Sequence, residues 1–185
     1  MEVLYRTQID TPLGPMIAVA GIDGLCALEF HEVGQLSGLE SRLKRLYSEY
    51  SVVDKSHPVF KKPGKWLKNY FAGRFPLLRP LALDLRGTDF ELRVWNMLLQ
   101  ITLGKTVSYS DLAVGLGQSN KARAVGMAVG HNPVSIIIPC HRVVGANGAL
   151  TGYGGGLDRK RWLLGHEGAM AKELPFTGTI FSQFS

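Results

Sequence analysis

Four consecutive residues, Pro139-Cys140-His141-Arg142, set a soft nucleophile beside a proton acceptor and a cation, directly after the apolar run Ile136-Ile137-Ile138. A cysteine thiol ordinarily has a pKa of about 8.5 and is only a few per cent ionised at neutral pH. A nucleophilic role therefore needs a base, a cation or a helix N-terminus that favours the thiolate, and His141 and Arg142 are of the right type. The apolar run reads as a short buried strand that delivers Cys140 to its end, where a loop leaves room for a pocket. Neighbouring side chains on an extended strand point to opposite faces, so adjacency in sequence does not by itself bring Cys140 and His141 into contact. Taken alone, the tetrapeptide reads equally well as a structural cysteine with an incidental histidine.

The segment before it has to position this pair. Thr88-Asp89-Phe90-Glu91 is a capping box and starts a helix with the apolar face Phe90, Val94, Met97, Leu98 and Ile101, ended by Gly104-Lys105. Tyr109 to Gly115, a turn over Leu116 to Ser119, and a helix from about Asn120 to Gly130 read as a helix-turn-helix, which points to DNA. The second helix is rich in small residues: Ala122, Ala124, Gly126, Ala128 and Gly130. Its backbone could approach a narrow space such as the minor groove, about 6 Å wide, or pack closely on a neighbour. Arg123 projects from it as a candidate DNA contact, and Asn132-Pro133 stops it. The glycine-rich stretch from Gly145 to Gly156 has no lysine at phosphate-loop spacing and no dinucleotide fingerprint, and reads better as a substrate lid. Asp158 to Gly165 is the closing helix, with Trp162, Leu163 and Leu164 in the core.

Upstream, Val3 to Ile9, Met16 to Ala20 and Leu25 to Phe30 are separated by turns at Pro12-Leu13-Gly14 and Gly21 to Gly24, the pattern of an antiparallel meander. Leu36, Leu39, Leu43, Leu46, Tyr47 and Tyr50 recur at helical spacing and would cover one face of the sheet. A second helix holds Trp66, Leu67, Tyr70 and Phe71, and Pro63-Gly64 should stop it from starting much earlier. Leu81 to Leu85 is expected to return as a strand, with a junction at Arg86-Gly87. The fold class is α/β of the α+β type. A small sheet-plus-helix lobe over residues 1–85 precedes a mostly helical domain over 86–169, with a helix-turn-helix and a cysteine loop, and then a tail over 170–185 with no readable role. Cys26, His31 and His57 could be suspected of binding zinc, but a structural site needs four ligands, usually in close pairs. Cys26 is read as a small buried apolar residue and no metal is expected.

The 185 residues are 45% hydrophobic, enough for a sizeable core, and carry a net charge of +6. A pI near 9.4 favours an anionic partner whose binding weakens as salt rises. Two distant cysteines fit a reducing compartment. There is no basic-then-apolar leader and no run near the roughly 18 apolar residues of a membrane helix. A soluble cytoplasmic protein without a membrane partner is expected.

Several motifs stand in register with one another: Ser108-Tyr109-Ser110-Asp111-Leu112-Ala113, Lys121-Ala122-Arg123-Ala124-Val125-Gly126, His131-Asn132-Pro133, the cysteine tetrapeptide, Val143-Val144-Gly145, Thr151-Gly152-Tyr153-Gly154-Gly155-Gly156-Leu157 and Arg161-Trp162-Leu163-Leu164-Gly165-His166-Glu167-Gly168. In order and spacing this set resembles the catalytic domain of the O6-alkylguanine-DNA alkyltransferases, direct-reversal DNA repair proteins. The resemblance is close over about residues 88 to 169. It is looser over 1 to 85, where Thr11-Pro12-Leu13-Gly14 and Tyr70-Phe71-Ala72-Gly73-Arg74-Phe75 carry it and imply a ribonuclease H-like lobe.

The resemblance implies that a monomer, with clustering on DNA left open, binds double-stranded DNA through the minor groove and turns the damaged nucleotide out of the stack. Methyl or larger alkyl then passes from O6 of guanine, with O4-alkylthymine a further candidate, to Cys140 once and irreversibly, without organic cofactor or metal. It implies that Arg123 fills the vacated stack, that Ala122 and Gly126 lie on the DNA side, and that Tyr109 donates a proton to the leaving base and rotates the target phosphate. Glu167 orients His141, which reaches Cys140 through a water, and by stabilising imidazolium favours the thiolate. Asn132 braces the DNA-binding motif against the cysteine loop. Val143, Ser135, Tyr153, Gly154 and Gly155 line the base pocket, with Gly154 where some relatives have serine and Ser135 where they have proline. Three rivals remain: a non-catalytic lesion-binding branch, against which Cys140 speaks; a helix-turn-helix regulator, for which no sensor or dimer domain is evident; and a Cys-His hydrolase, which leaves the DNA motif unexplained.

Overall fold

Glu2–Ile9 (β1), in which Leu4 is the buried residue, and the largely apolar Met16–Ala20 (β2) and Leu25–Phe30 (β3) build an antiparallel meander in the computed structural model, which describes residues 1–31, 37–77 and 81–170. Tyr5 lies opposite Ala20 and Ile9 opposite Met16, while Met16 also pairs with Phe30 of β3, whose register with β2 shifts farther along, between Val19 and Ala20. All five residues of β2 are buried, as expected of a strand covered on both faces. After helix α1 (Ser37–Leu46) the chain adds Tyr50–Asp54 (β4) parallel to β1, with Glu2 opposite Tyr50, giving the order β3-β2-β1-β4. Tyr50 therefore belongs to a strand, not to the helix. Its spacing from Leu46 and Tyr47 fits a helix by coincidence, but Tyr50-Ser51-Val52-Val53 has strand composition. Leu36 lies outside the described residues. Leu39, Leu43 and Tyr47 pack with Leu4, Ile17, Val19, Cys26 and Ala27 as the core of this unit.

A 3-10 turn, Pro58–Phe60, runs directly into α2 (Lys61–Phe71), so Pro63-Gly64 does not delay the helix start. Pro63 is its third residue, where a missing N–H falls among the first four that have no intrahelical acceptor. Leu81 to Leu85 makes a single bridge, Leu83 with Leu25, rather than a strand. It meets the edge of β3 at one point, where Leu25 N donates to Ala82 O at 2.9 Å and Asp84 N to Leu25 O at 3.0 Å. The approach requires Gly24, since a Cβ there would stand 2.4 Å from the Ala82 carbonyl oxygen.

A division between Arg86 and Gly87 separates this unit from a second one. The second opens with α3 (Asp89–Leu98), where Thr88 Oγ1 accepts from Glu91 N and Glu91 Oε2 accepts from Thr88 N at 2.8 Å. The helix stops at Leu98, before Gly104-Lys105, and Leu99 to Ile101 follow in hydrogen-bonded turns. Glu91, Val94, Trp95 and Leu98 are its buried residues, with Phe90 and Met97 only half-buried. A two-residue strand, Val107–Ser108 (β5), leads into α4 (Tyr109–Gly115), capped by Ser108 and Asp111. A 3-10 turn, Ser119–Lys121, then precedes α5 (Ala122–Gly130), so the helix-turn-helix is present. Val125, Ala128 and Val129 of α5 are buried, while Arg123 and Met127 are exposed. Two side chains hold its C-terminus: Trp95 Nε1 donates to Ala128 O at 2.8 Å, and His131 Nδ1 lies 2.7 Å from Glu91 Oε1.

The run Ile136 to Ile138 is buried but is not a strand. It forms a tight turn in which Ser135 bridges Ile138, Ile138 N donates to Val134 O, and Ile136 has a φ of 70°. Val143–Val144 (β6) pairs parallel with β5, and α6 (Leu157–His166) closes the unit. Leu163 and Leu164 of α6 are fully buried, whereas Trp162 is half-buried and stacks on His166 at 4.7 Å. No helix among the described residues is long and apolar enough to cross a membrane.

Trp95 removes a helix-end carbonyl from the list of orphaned acceptors. Replacing it by Phe keeps the packing and leaves the Ala128 carbonyl without that donor. Trp95→Phe is expected to lower unfolding free energy by about 1–3 kcal/mol in a denaturant titration.

Candidate active site

Cys140 opens a 3-10 turn, Cys140–Arg142, at the end of a path set by Asn132. Asn132 is buried just beyond α5. Its Nδ2 donates to Ile138 O at 2.8 Å and to Cys140 Sγ at 3.0 Å, and its Oδ1 accepts from Val134 N at 3.0 Å. One amide therefore spans the turn and holds the sulfur. A β-branched residue in the left-handed region, as Ile136 is here, costs on the order of 1–3 kcal/mol. Burial of the three isoleucines and the Asn132 bonds offset it. Because Cys140 and His141 lie on a helical turn rather than a strand, their side chains are not forced onto opposite faces.

His141 is fully buried, with Nε2 2.9 Å from Oε1 of Glu167, the residue that caps α6. Arg142 grips the same carboxylate with two bonds, Nε to Oε2 at 2.7 Å and Nη2 to Oε1 at 2.9 Å, and its Nη1 donates to Ile101 O. Burial alone would raise the Glu167 pKa, but His141 and Arg142 outweigh it and hold it at about 2. The carboxylate can only accept, so the network assigns the proton to Nε2 and leaves Nδ1 with a lone pair. That Nδ1 is buried without a hydrogen-bond partner among the described residues.

Burial depresses the His141 pKa, and the upward pull of Glu167 does not reverse it. Burial likewise raises the Cys140 pKa, offset in part by the Asn132 bond and the charge of Lys160. Burial thus favours the uncharged forms, a thiol and a neutral imidazole, while Glu167 pulls toward imidazolium. The bonds of Arg142 go to Glu167 and not to the sulfur.

Lys160 escaped the sequence reading. It is fully buried on α6, and its Nζ donates to Val143 O, to Thr151 O at 2.6 Å and to Gly152 O at 3.4 Å. It ties the strand after Cys140 to the segment before Tyr153. Burial brings its pKa down to about 8, with Cys140 pulling the other way. The signal was available: Lys160, Leu163, Leu164 and Glu167 share one helical face by their spacing.

Tyr109 starts α4 with its hydroxyl 3.5 Å from Thr151 O and its ring against Gly126, where a Cβ would meet Cδ1 at 3.6 Å. Burial raises its pKa, and Cys140 contributes. Tyr153 stands edge-on to His141 with centroids 6.4 Å apart, and burial pushes its hydroxyl pKa well up. Ser135 is half-buried. Gly154 is exposed with no protein atom within 4 Å of where a Cβ would stand, and Gly155 O accepts from Arg159 Nη1 at 2.9 Å. Val143 has no exposed surface. Arg123 stands on the exposed side of α5, with Ala122 and Gly126 half-buried. In the other unit, Cys26 is buried and its thiol donates to Val19 O at 3.3 Å, while His57 stacks on Tyr5 at 3.9 Å. No group of three His, Cys, Asp or Glu side chains among the described residues is placed to hold a metal ion.

The family model for the 6-O-methylguanine DNA methyltransferase DNA-binding domain matches residues 89–169. The chain is 55% identical over 178 residues to a methylated-DNA–protein-cysteine methyltransferase of Mycolicibacterium paratuberculosis, covering 96% of this chain and 98% of that one. It is 45% identical over 161 residues to one from Mycobacterium tuberculosis, at 86% and 89% coverage. Among solved structures, Mycobacterium tuberculosis OGT in complex with DNA superposes with a TM-score of 0.71 at 41% identity, over 89% of this chain and 93% of that one. The O6-methylguanine-DNA methyltransferase of Pyrococcus kodakaraensis gives a TM-score of 0.66 at 26% identity, over 89% and 99%. With matches of this extent in both sequence and fold, the chain belongs to the methylated-DNA–protein-cysteine methyltransferases, mixed α/β proteins of direct-reversal DNA repair.

Proposed function

We propose that Cys140 is the acceptor of this reaction and takes methyl or a larger alkyl group from O6 of guanine in duplex DNA, once per molecule. The observation that carries the assignment is the thiol held at 3.0 Å by the buried Asn132 amide, next in sequence to a neutral histidine anchored by Glu167. The thiol proton passes to His141 Nδ1, through a water where the two do not touch, and the imidazolium so formed is balanced by the carboxylate already in place. The sulfur pair forms the S–C bond, the C–O6 bond breaks, and its pair goes to guanine. Tyr109 gives its hydroxyl proton to the base and is reprotonated from solvent, while the imidazolium releases the thiol's proton to solvent, so the base gains one proton for the one the thiol lost. The Tyr109 hydroxyl, its pKa raised by burial, stays protonated until that charge develops. The product thioether has no displacing group beside it.

The exposed position of Arg123 supports its insertion into the stack, and the low bulk of Ala122 and Gly126 supports docking of α5 in the minor groove. Ser135, Tyr153, Gly154 and Gly155 are assigned to the base pocket. One chain supplies all these groups, which supports action as a monomer, and two free cysteines support a reducing cytoplasmic setting. The order β3-β2-β1-β4 with β1 and β4 parallel supports reading residues 1–85 as a ribonuclease H-like lobe ahead of a catalytic domain over 86–169. Residues 171–185 of the tail lie outside the described residues.

Incubation with excess O6-methylguanine duplex is expected to place methyl on Cys140 by peptide mass and to plateau at one equivalent of protein. Cys140→Ala should keep duplex affinity and lose transfer entirely; turnover beyond one equivalent, or transfer in the variant, refutes the assignment. Arg123→Ala should slow transfer from duplex far more than transfer from the free O6-alkylguanine base, and equal losses would mean a folding defect instead. Glu167 has a folded pKa of about 2 against an ordinary 4.5, so its contribution is complete above pH 4.5 and is lost as pH falls toward 2. That contribution is about 3 kcal/mol, and Glu167→Gln should flatten the acid limb of the stability–pH curve measured by denaturation.

A further inference from the structure

The positive charge of the chain is concentrated where the reaction does not use it. Between Lys55 and Leu83 the sequence carries seven basic residues and no Asp or Glu, more than the net +6 of the whole protein. Four of the seven, Lys61, Lys62, Lys65 and Lys68, are the exposed side of α2, whose opposite side buries Pro63, Trp66, Leu67 and Tyr70. Lys61, Lys65 and Lys68 fall on one stripe at 3.6 residues per turn, about 10 Å long. Trp66 and Tyr70 stack beneath it with centroids 5.4 Å apart, so the stripe is set on a fixed face.

Helix stability does not explain this placement. Lys61 and Lys62 occupy the first turn, where the helix dipole disfavours cations, and α2 contains no acidic residue that could pair with them at i+3 or i+4. None of the four lysines makes an ion pair or a side-chain hydrogen bond among the described residues. The arginines of the same unit behave differently. Arg6 pairs with Asp54 at 2.6 Å, Arg42 with Glu29 at 3.2 Å, and Arg86 with Glu2 at 2.7 Å. These three arginines are matched to carboxylates, whereas the four lysines of α2 are not.

We propose that the lysine stripe of α2 is a second phosphate-binding surface for duplex DNA, separate from the helix-turn-helix. Compact ammonium groups on flexible stems bind phosphates as point charges without reading bases. A stripe of about 10 Å matches roughly three successive phosphates of one strand at about 3.4 Å of axis each. The partner is the polyanion on which the family acts, so no other anion has to be invoked. The surface adds affinity for undamaged duplex DNA and leaves the chemistry at Cys140 unchanged.

The test is a triple variant, Lys61→Gln, Lys65→Gln and Lys68→Gln, in the full chain, with a triple Lys→Arg variant as control. Affinity for a long undamaged duplex is measured across a salt series. The expected result is a slope of log affinity against log salt shallower by about 2 to 3 in the Gln variant, at about 0.9 per phosphate, retained in the Arg variant. Transfer from the free O6-alkylguanine base stays at the wild-type rate in both. An unchanged slope overturns the proposal, as does a Gln variant whose only defect is lost binding to polyglutamate or an altered self-association measured without DNA. Failure of the wild-type protein to methylate Cys140 would bear on the acceptor assignment and not on this surface.

Discussion

The side-chain amide of Asn132 connects the last turn of α5, the strained turn at Ile136 and the sulfur of Cys140 through three hydrogen bonds. An asparagine can do this because it offers two donors and an acceptor on one planar group, in a buried setting where each unmet group would cost free energy. The position of the nucleophile is therefore referred to the end of the helix proposed to meet DNA. The hydrogen bond from Trp95 to Ala128 and the His131–Glu91 pair hold that same helix end from the other side. Nucleophile and proposed DNA helix form one mechanical unit, so a displacement of α5 is felt at the sulfur.

Around the sulfur the charges form two closed accounts. Glu167, His141 and Arg142 compose one, in which an ionised carboxylate serves a neutral ring and a permanent cation. Lys160 and three backbone carbonyls compose the other. The first pairs its charges, while the second meets an ammonium with dipoles alone, which is why burial brings the Lys160 pKa down to about 8. Burial pushes the Cys140 thiol toward its protonated form, and a thiol with little thiolate character oxidises slowly.

Local signals were the most legible. The capping box at Thr88 placed the start of α3 from four residues, because a cap is a contact within one turn. The meander was readable for a similar reason, since its turns and alternation are short-range. Tyr50 and the three isoleucines were misread because periodicity and β-branching are averages over a window. The pairing of β4 with β1 joins residues about fifty apart in sequence, and the turn that puts Ile136 at a left-handed φ is bridged by Asn132 bonds to Val134 N and Ile138 O that a window of isoleucines does not reveal. At the site, the in-register motifs singled out Cys140, His141, Asn132 and Glu167. They did not indicate the protonation states, which depend on burial, or Lys160, whose three acceptors are all main-chain atoms.

Gly154 differs from the glycines whose missing side chain is demanded by a close neighbour, such as Gly24. Its backbone is not in the left-handed region, and the space before it holds no protein atom within 4 Å. A side chain there would meet neither backbone strain nor a packed wall, so position 154 can take a larger residue at little cost to folding, while the buried machinery behind Cys140 stays as it is.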